Sequence, residues 1–166
     1  LFVRAHPPRE PVLALYGEGF ARFLASFPPA AELAYLPAVA RLDRFWSEAH
    51  VARDEAVLAA AAMTGMDPAR LAALRLRPHA AARWAWFELP AYSLWSRQRA
   101  GAPGPEEIDW QGEGALLTRI DGAVRWAPLS RGGCILLDAC ARGEALGAAA
   151  ETAQAADPAT ALSLLV

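Results

Sequence analysis

The chain has 166 residues, is 55% hydrophobic and 20% charged, and carries a net charge of −2. That is material for one ordinary domain or two small ones with a buried core, and it excludes a chain too polar to fold. All 16 basic residues are arginine, and the slightly acidic balance argues against a nucleic-acid partner, because phosphate neutralisation needs a basic face.

Residues 1–11 read as an extended, proline-rich segment with Pro7, Pro8 and Pro11. A helix is expected over 12–26, where Tyr16, Phe20, Phe23 and Phe27 recur at helical spacing as an aromatic stripe. Pro28-Pro29 ends it. The next helix is expected over 36–52, with Leu36, Val39, Leu42, Trp46 and Ala49 on one side. Residues 53–66 are Ala-rich and predict a third helix closing near Gly65.

Asp67-Pro68 is a helix start, with Asp as N-cap and Pro in the first turn. Leu74–Arg77 alternates and reads as a strand. Residues 82–87 are also strand-like, with Trp84 and Trp86 on one face. Pro90 opens a helix through Tyr92 and Trp95 to about Arg99, and the Gly/Pro-rich stretch 101–113 reads as a linker.

Asp121-Gly122 sits between two β-prone runs, which predicts a hairpin over 115–128. A two-residue turn pairs Ile120 with Ala123, Arg119 with Val124 and Leu117 with Trp126. Ser130 is placed to cap a helix that stops at Gly143. A second helix is expected over 144–155, and Asp157-Pro158 starts a third that carries Leu162, Leu165 and Val166.

A small sheet with an open edge, backed by short helices, suits the docking of an extended peptide. The expected contact is the backbone of Ala123, Val124, Arg125, Trp126 and Ala127, ended by Pro128, which has no N–H. Apolar peptide side chains then enter a groove beside the C-terminal helices, at Leu162 and Leu165. Tyr92, Trp95 and Trp110 are the expected anchors for a partner protein, since Trp and Tyr are enriched in interface hot spots.

Nothing in the residue pattern points to catalysis in this chain. His6, His50 and His79 are scattered without partners at metal-ligand spacing. Ser130 lacks a nucleophile elbow. Cys134 and Cys140 are six residues apart on one expected helix, do not share a face, and read as buried reduced thiols of a cytoplasmic protein. No apolar run approaches the length of a membrane span.

Residues 3–27 contain His-Pro-Pro at 6–8 and Tyr-Gly-Glu-Gly-Phe at 16–20, and residues 35–46 read Tyr-Leu-Pro-Ala-Val-Ala-Arg-Leu-Asp-Arg-Phe-Trp. These strings resemble motifs of a bacterial family, labelled a DNA-binding domain, that includes the MbnC proteins of methanobactin biosynthesis and the HvfC proteins of bufferin pathways. Residues 74–95 and 114–155 are similar to its C-terminal half. The family's first helices would precede residue 1.

The resemblance implies a non-catalytic partner of a multinuclear-iron TIM-barrel enzyme that modifies cysteines of a ribosomally made precursor peptide. The iron would belong to the enzyme, with no cofactor or metal in this chain, and this chain would help hold the precursor's leader. Residues 114–166 also resemble, in architecture, a PqqD-type peptide-recognition element. The expectation is therefore an α+β protein: a helical domain over 1–66, and a small domain over 67–166 of antiparallel strands and short helices, like a peptide-recognition element or a winged helix. The family label leaves a DNA-binding regulator as the alternative.

Overall fold

The computed structural model describes residues 1–8, 16–101 and 107–158. Among them the chain is α+β, with seven α-helices and one three-stranded antiparallel sheet. The helices are α1 (Phe2–Ala5), α2 (Phe20–Ala25), α3 (Leu36–Val51), α4 (Pro68–Ala73), α5 (Ala91–Ala100), α6 (Arg131–Ala141) and α7 (Leu146–Ala156). The strands are β1 (Arg83–Phe87), β2 (Glu113–Ile120) and β3 (Ala123–Leu129), in the spatial order β1-β2-β3.

The hairpin forms in the expected register, with Ile120 opposite Ala123, Arg119 opposite Val124 and Leu117 opposite Trp126. Asp121 and Gly122 both have positive φ, 50° and 76°, as a type I′ turn requires. Local caps also form as expected. The Asp67 carboxylate accepts from the Arg70 N–H, and the Ser130 hydroxyl accepts from the Gly133 N–H. Gly143 follows α6 at φ 78°.

Alternation along the strands divides the sheet into two faces. Ala85, Phe87, Ala115, Leu117 and Val124 face α3 and α5 and share one core cluster with Leu42, Ala49, Ala91 and Trp95. Trp84 and Gly114 face α6. The Trp84 indole N–H donates to Asp138 at 2.9 Å, and a Cβ on Gly114 would lie 3.1 Å from Cys134 Sγ. Helix α7 packs behind α6, and α4 packs on α7.

Several expectations are corrected. Residues 53–59 are not helical, and only Ala60–Ala62 form a single 3-10 turn. Long-range ties hold the start of this segment open. Arg119 donates to Ala52 O at 2.5 Å, and the Glu55 carboxylate accepts from Arg77 and from the Ala80 N–H. Leu74–Arg77 is no strand. Single bonds attach it to the turn between α6 and α7: Leu146 N–H donates to Leu74 O at 2.7 Å, and Arg75 donates to Gly143 O. Phe2–Ala5 makes one helical turn, which brings Phe2 onto Tyr16, Phe20 and Phe23. The helix expected over 12–26 is helical over Phe20–Ala25, with a turn at 16–19. Residues 9–15, and the helix expected after Pro158, lie outside the described residues.

The expected boundary at 66/67 is not a break in packing. Leu42 and Ala49 of α3 are fully buried in the same cluster as the sheet's Ala115 and Leu117. Leu42→Ala is expected to cost about 2–5 kcal/mol, the usual range for truncating a buried leucine. Denaturation followed by far-ultraviolet circular dichroism and by Trp fluorescence should show both transitions moving together. A fluorescence transition left in place would mean that α3 unfolds separately from the sheet.

Candidate functional site

Helix α3 presents two adjacent stripes. Ala38, Leu42, Phe45 and Ala49 pack into or against the core. Val39, Asp43, Trp46 and His50, each one position further on, line a groove of about 970 Å³ between α3, α5 and β3. The offset of one residue rotates the second stripe by ~100° about the helix axis, toward the end strand of the sheet, with Val39 and Trp46 still packed against the margin of the core.

Val124 and Trp126 of β3 line the groove, with Ala123 at its end. Trp95 is only 3% exposed; its ring meets Trp126 edge-on at 5.4 Å, and its indole N–H donates to Asp43 at 2.8 Å. It therefore builds the groove's inner wall and is not a surface anchor as the sequence suggested. Tyr92 is half-buried against the core, where burial and the Glu113 carboxylate push its phenol above the ordinary value. Trp110 is 60% exposed, as its loop position implied, and its ring lies 6.2 Å from that of Tyr35, which also lines the groove.

The backbone of β3 is not a uniform edge. In a two-residue hairpin the pair closing the turn is hydrogen-bonded, and bonded and non-bonded pairs then alternate. Ala123, Arg125 and Ala127 therefore turn their N–H and C=O toward β2. Val124 and Trp126 turn theirs outward, and Pro128 offers outward only a carbonyl. Among the described residues, neither Val124 nor Trp126 makes a backbone hydrogen bond outside the sheet. The side chains of Arg125 and Ala127 lie on the opposite face of the strand and are exposed. Only part of the expected contact set thus comes together at the groove.

This groove lies on the α3 and α5 side of the sheet. Val124 and Trp126 point to α3 and α5, whereas α6 covers the opposite face. Leu162 and Leu165 lie outside the described residues. Trp46, Asp43 and Arg99 are the groove residues that sequence reasoning missed as such. Their signal was the second α3 stripe, hidden because Trp46 reads equally well as core.

Two ties fix α3 beside the sheet and so set the groove's width. Arg83 of β1 donates to Glu48 of α3 at 2.6 Å, and Arg44 donates to the other oxygen at 2.7 Å. Arg119 at the end of β2 grips the carbonyls of His50 and Ala52 and pairs with Asp54. The histidines have local structural contacts. His50 stacks on Trp46, His6 on Phe2, and the His79 ring meets Glu55 O at 3.2 Å. Both cysteines are free and buried, and burial, with Asp138 nearby, pushes the Cys134 thiol up to about 11. Among the described residues, no group of three or more His, Cys, Asp or Glu side chains could hold a metal ion, and no helix is long and apolar enough to cross a membrane.

Burial pushes the Glu48 carboxyl upward, but hydrogen bonds from Arg83 and Arg44, and their charges, outweigh it and hold the carboxyl below its ordinary 4.5. A carboxyl lowered in the folded state stabilises the protein above its ordinary value, and that contribution is lost as pH falls through the lower folded value. Glu48→Gln should therefore cost about 1 kcal/mol near neutrality, a modest figure because the pair is partly solvated. Denaturant melts across a pH series should show the gap to the parent closing below pH 4.5. A gap that is constant with pH would detach Glu48 from this role.

No family model, no curated protein and no solved structure matches the chain.

Proposed function

We propose that this protein is a non-catalytic partner that holds an extended peptide by β-strand addition at β3. The peptide would be the leader of a ribosomally made, Cys-containing precursor, and the partner a multinuclear-iron TIM-barrel enzyme. The observation that carries the peptide-binding reading is the outward backbone of Val124 and Trp126 beside a groove lined by their own side chains. A strand laid there takes its main-chain bonds from β3 and drops alternate side chains between β3 and α3. The identity of the peptide and its enzyme rests on the motif strings at 3–27 and 35–46.

In this reading the chain supplies binding and orientation, and the chemistry and the iron belong to the enzyme. Trp110, exposed beside Tyr35 at the groove, is the surface residue assigned to contact with the enzyme. The arginine pattern weighs against the DNA alternative. Arg44, Arg53, Arg77, Arg83, Arg99, Arg119 and Arg142 are all paired with carboxylates of the protein itself.

Leader peptides carrying N-methyl groups at alternate amides test the strand addition. Methyls on the amides that face β3 should weaken binding at least about tenfold, because they remove a donor and wedge the strands apart. Methyls on the other set should change the affinity less than about twofold. Equal tolerance of both sets would exclude strand addition. Co-expression with a multinuclear-iron TIM-barrel enzyme from the same genome tests the partner: failure to co-purify, with no change in the enzyme's peptide affinity, would remove that assignment.

A further inference from the structure

Arg99, in the last turn of α5, reaches across the groove to α3. Its guanidinium lies 3.9 Å over the Trp46 ring and 5.6 Å from the centre of Trp95. Stacking on an indole fixes the plane of the fork and shields one face of it from water. Its carboxylate neighbour is Asp43, at 3.5 Å from Nη1. That is well beyond the ~2.7–2.9 Å of a charge-assisted hydrogen bond. The same Asp43 oxygen already accepts the Trp95 indole N–H at 2.8 Å. Among the described residues the Arg99 side chain donates no hydrogen bond, so Asp43 pairs with it by charge alone and the oriented fork keeps donors open to a second carboxylate.

The fork stands next to the edge that takes the strand. Trp126 touches Trp95, and Trp95 lies beside Arg99. A strand added outside β3 runs ~4.8 Å from it, over the groove, and turns alternate side chains inward. We propose that one inward side chain of that strand is acidic, and that its carboxylate docks on the Arg99 fork while its inward neighbours are apolar and meet Trp126 and Val39. This selectivity rests on the strand-addition reading of the same groove. It also works by exclusion: a lysine at that position meets the guanidinium and is repelled, and an amide gains only neutral hydrogen bonds.

The test uses a synthetic peptide of alternating Thr and Val, capped by polar tails, with one inward Val replaced by Glu, Gln or Lys. Affinities are read by titration calorimetry on the protein and on Arg99→Met and Arg99→Lys. The Glu peptide should bind about tenfold tighter than the Gln peptide, and the Lys peptide weakest of all. Arg99→Met should reduce the Glu preference to less than about twofold, and Arg99→Lys, which keeps the charge but not the fork, should fall between. Thermal melts show whether each variant is folded. Should Arg99→Met unfold, the Arg99→Lys titration decides alone. Peptides that bind with no Glu preference, or with a preference untouched in the Arg99 variants, overturn the acidic selectivity and leave strand addition standing. Peptides that do not bind at all overturn strand addition, and the selectivity with it.

Discussion

Three strands cannot bury both faces of a sheet by themselves, and a two-stranded hairpin is marginal alone. The burial of Leu42 and Ala49 of α3 against Ala115 and Leu117 of β2 is therefore the contact on which the rest depends. It gives the sheet its inner core, and it fixes the angle from which α3 overhangs β3. The Glu48–Arg83 pair and the Arg119 grip both act at the C-terminal end of α3 and hold that end against β1 and β2. The groove is a by-product of this arrangement. Helix α3 runs for 16 residues with one stripe on that core. Its second stripe, Val39, Asp43, Trp46 and His50, lies at the margin of that core and lines the groove beside the sheet edge.

What the sequence made legible was local. The Asp121-Gly122 turn, the Asp67 and Ser130 caps, and the hairpin register all follow from interactions between residues a few positions apart. The failures came where distant residues decide. Alanine propensity favoured a helix over 53–66, but propensity is a weak prior, and Arg119, Arg77 and Ala80 hold residues 52–55 by bonds that span more than 20 positions. The sequence could not reveal which sheet face α6 covers either. Trp84, Trp86 and Trp126 are all aromatic, so composition does not distinguish the α6 face from the groove face. The candidate site was half legible for that reason: the strand could be named, but not the helices that face it.

Among the described residues the outer edge of β3 is unpaired. An unpaired strand invites pairing with copies of itself, and natural edges are blunted by charge, proline and shortness. Here Pro128 removes one outward donor, and Arg125 stands exposed on the face away from the groove. The overhang of α3 adds a steric limit, since a second copy of the sheet would have to bring its own helices into the same space. A single extended chain needs no such room. These features narrow what can dock at the edge without closing it.

The same blunting sets the energetics of docking. Val124, Trp126 and the Pro128 carbonyl offer an added strand roughly five main-chain bonds, each worth about 0.5–1.5 kcal/mol net. Their sum, about 2.5–7.5 kcal/mol, does not clearly exceed the ~4–15 kcal/mol lost in freezing two partners together. Backbone pairing alone thus gives direction and register, with little affinity left over. The remainder has to come from side chains entering the groove, where aromatic rings supply apolar area and Arg99 supplies an oriented charge. An edge this short therefore binds selectively or hardly at all. That is the behaviour the proposed leader-binding role requires in the presence of many other unfolded chains, each with the same backbone and different side chains.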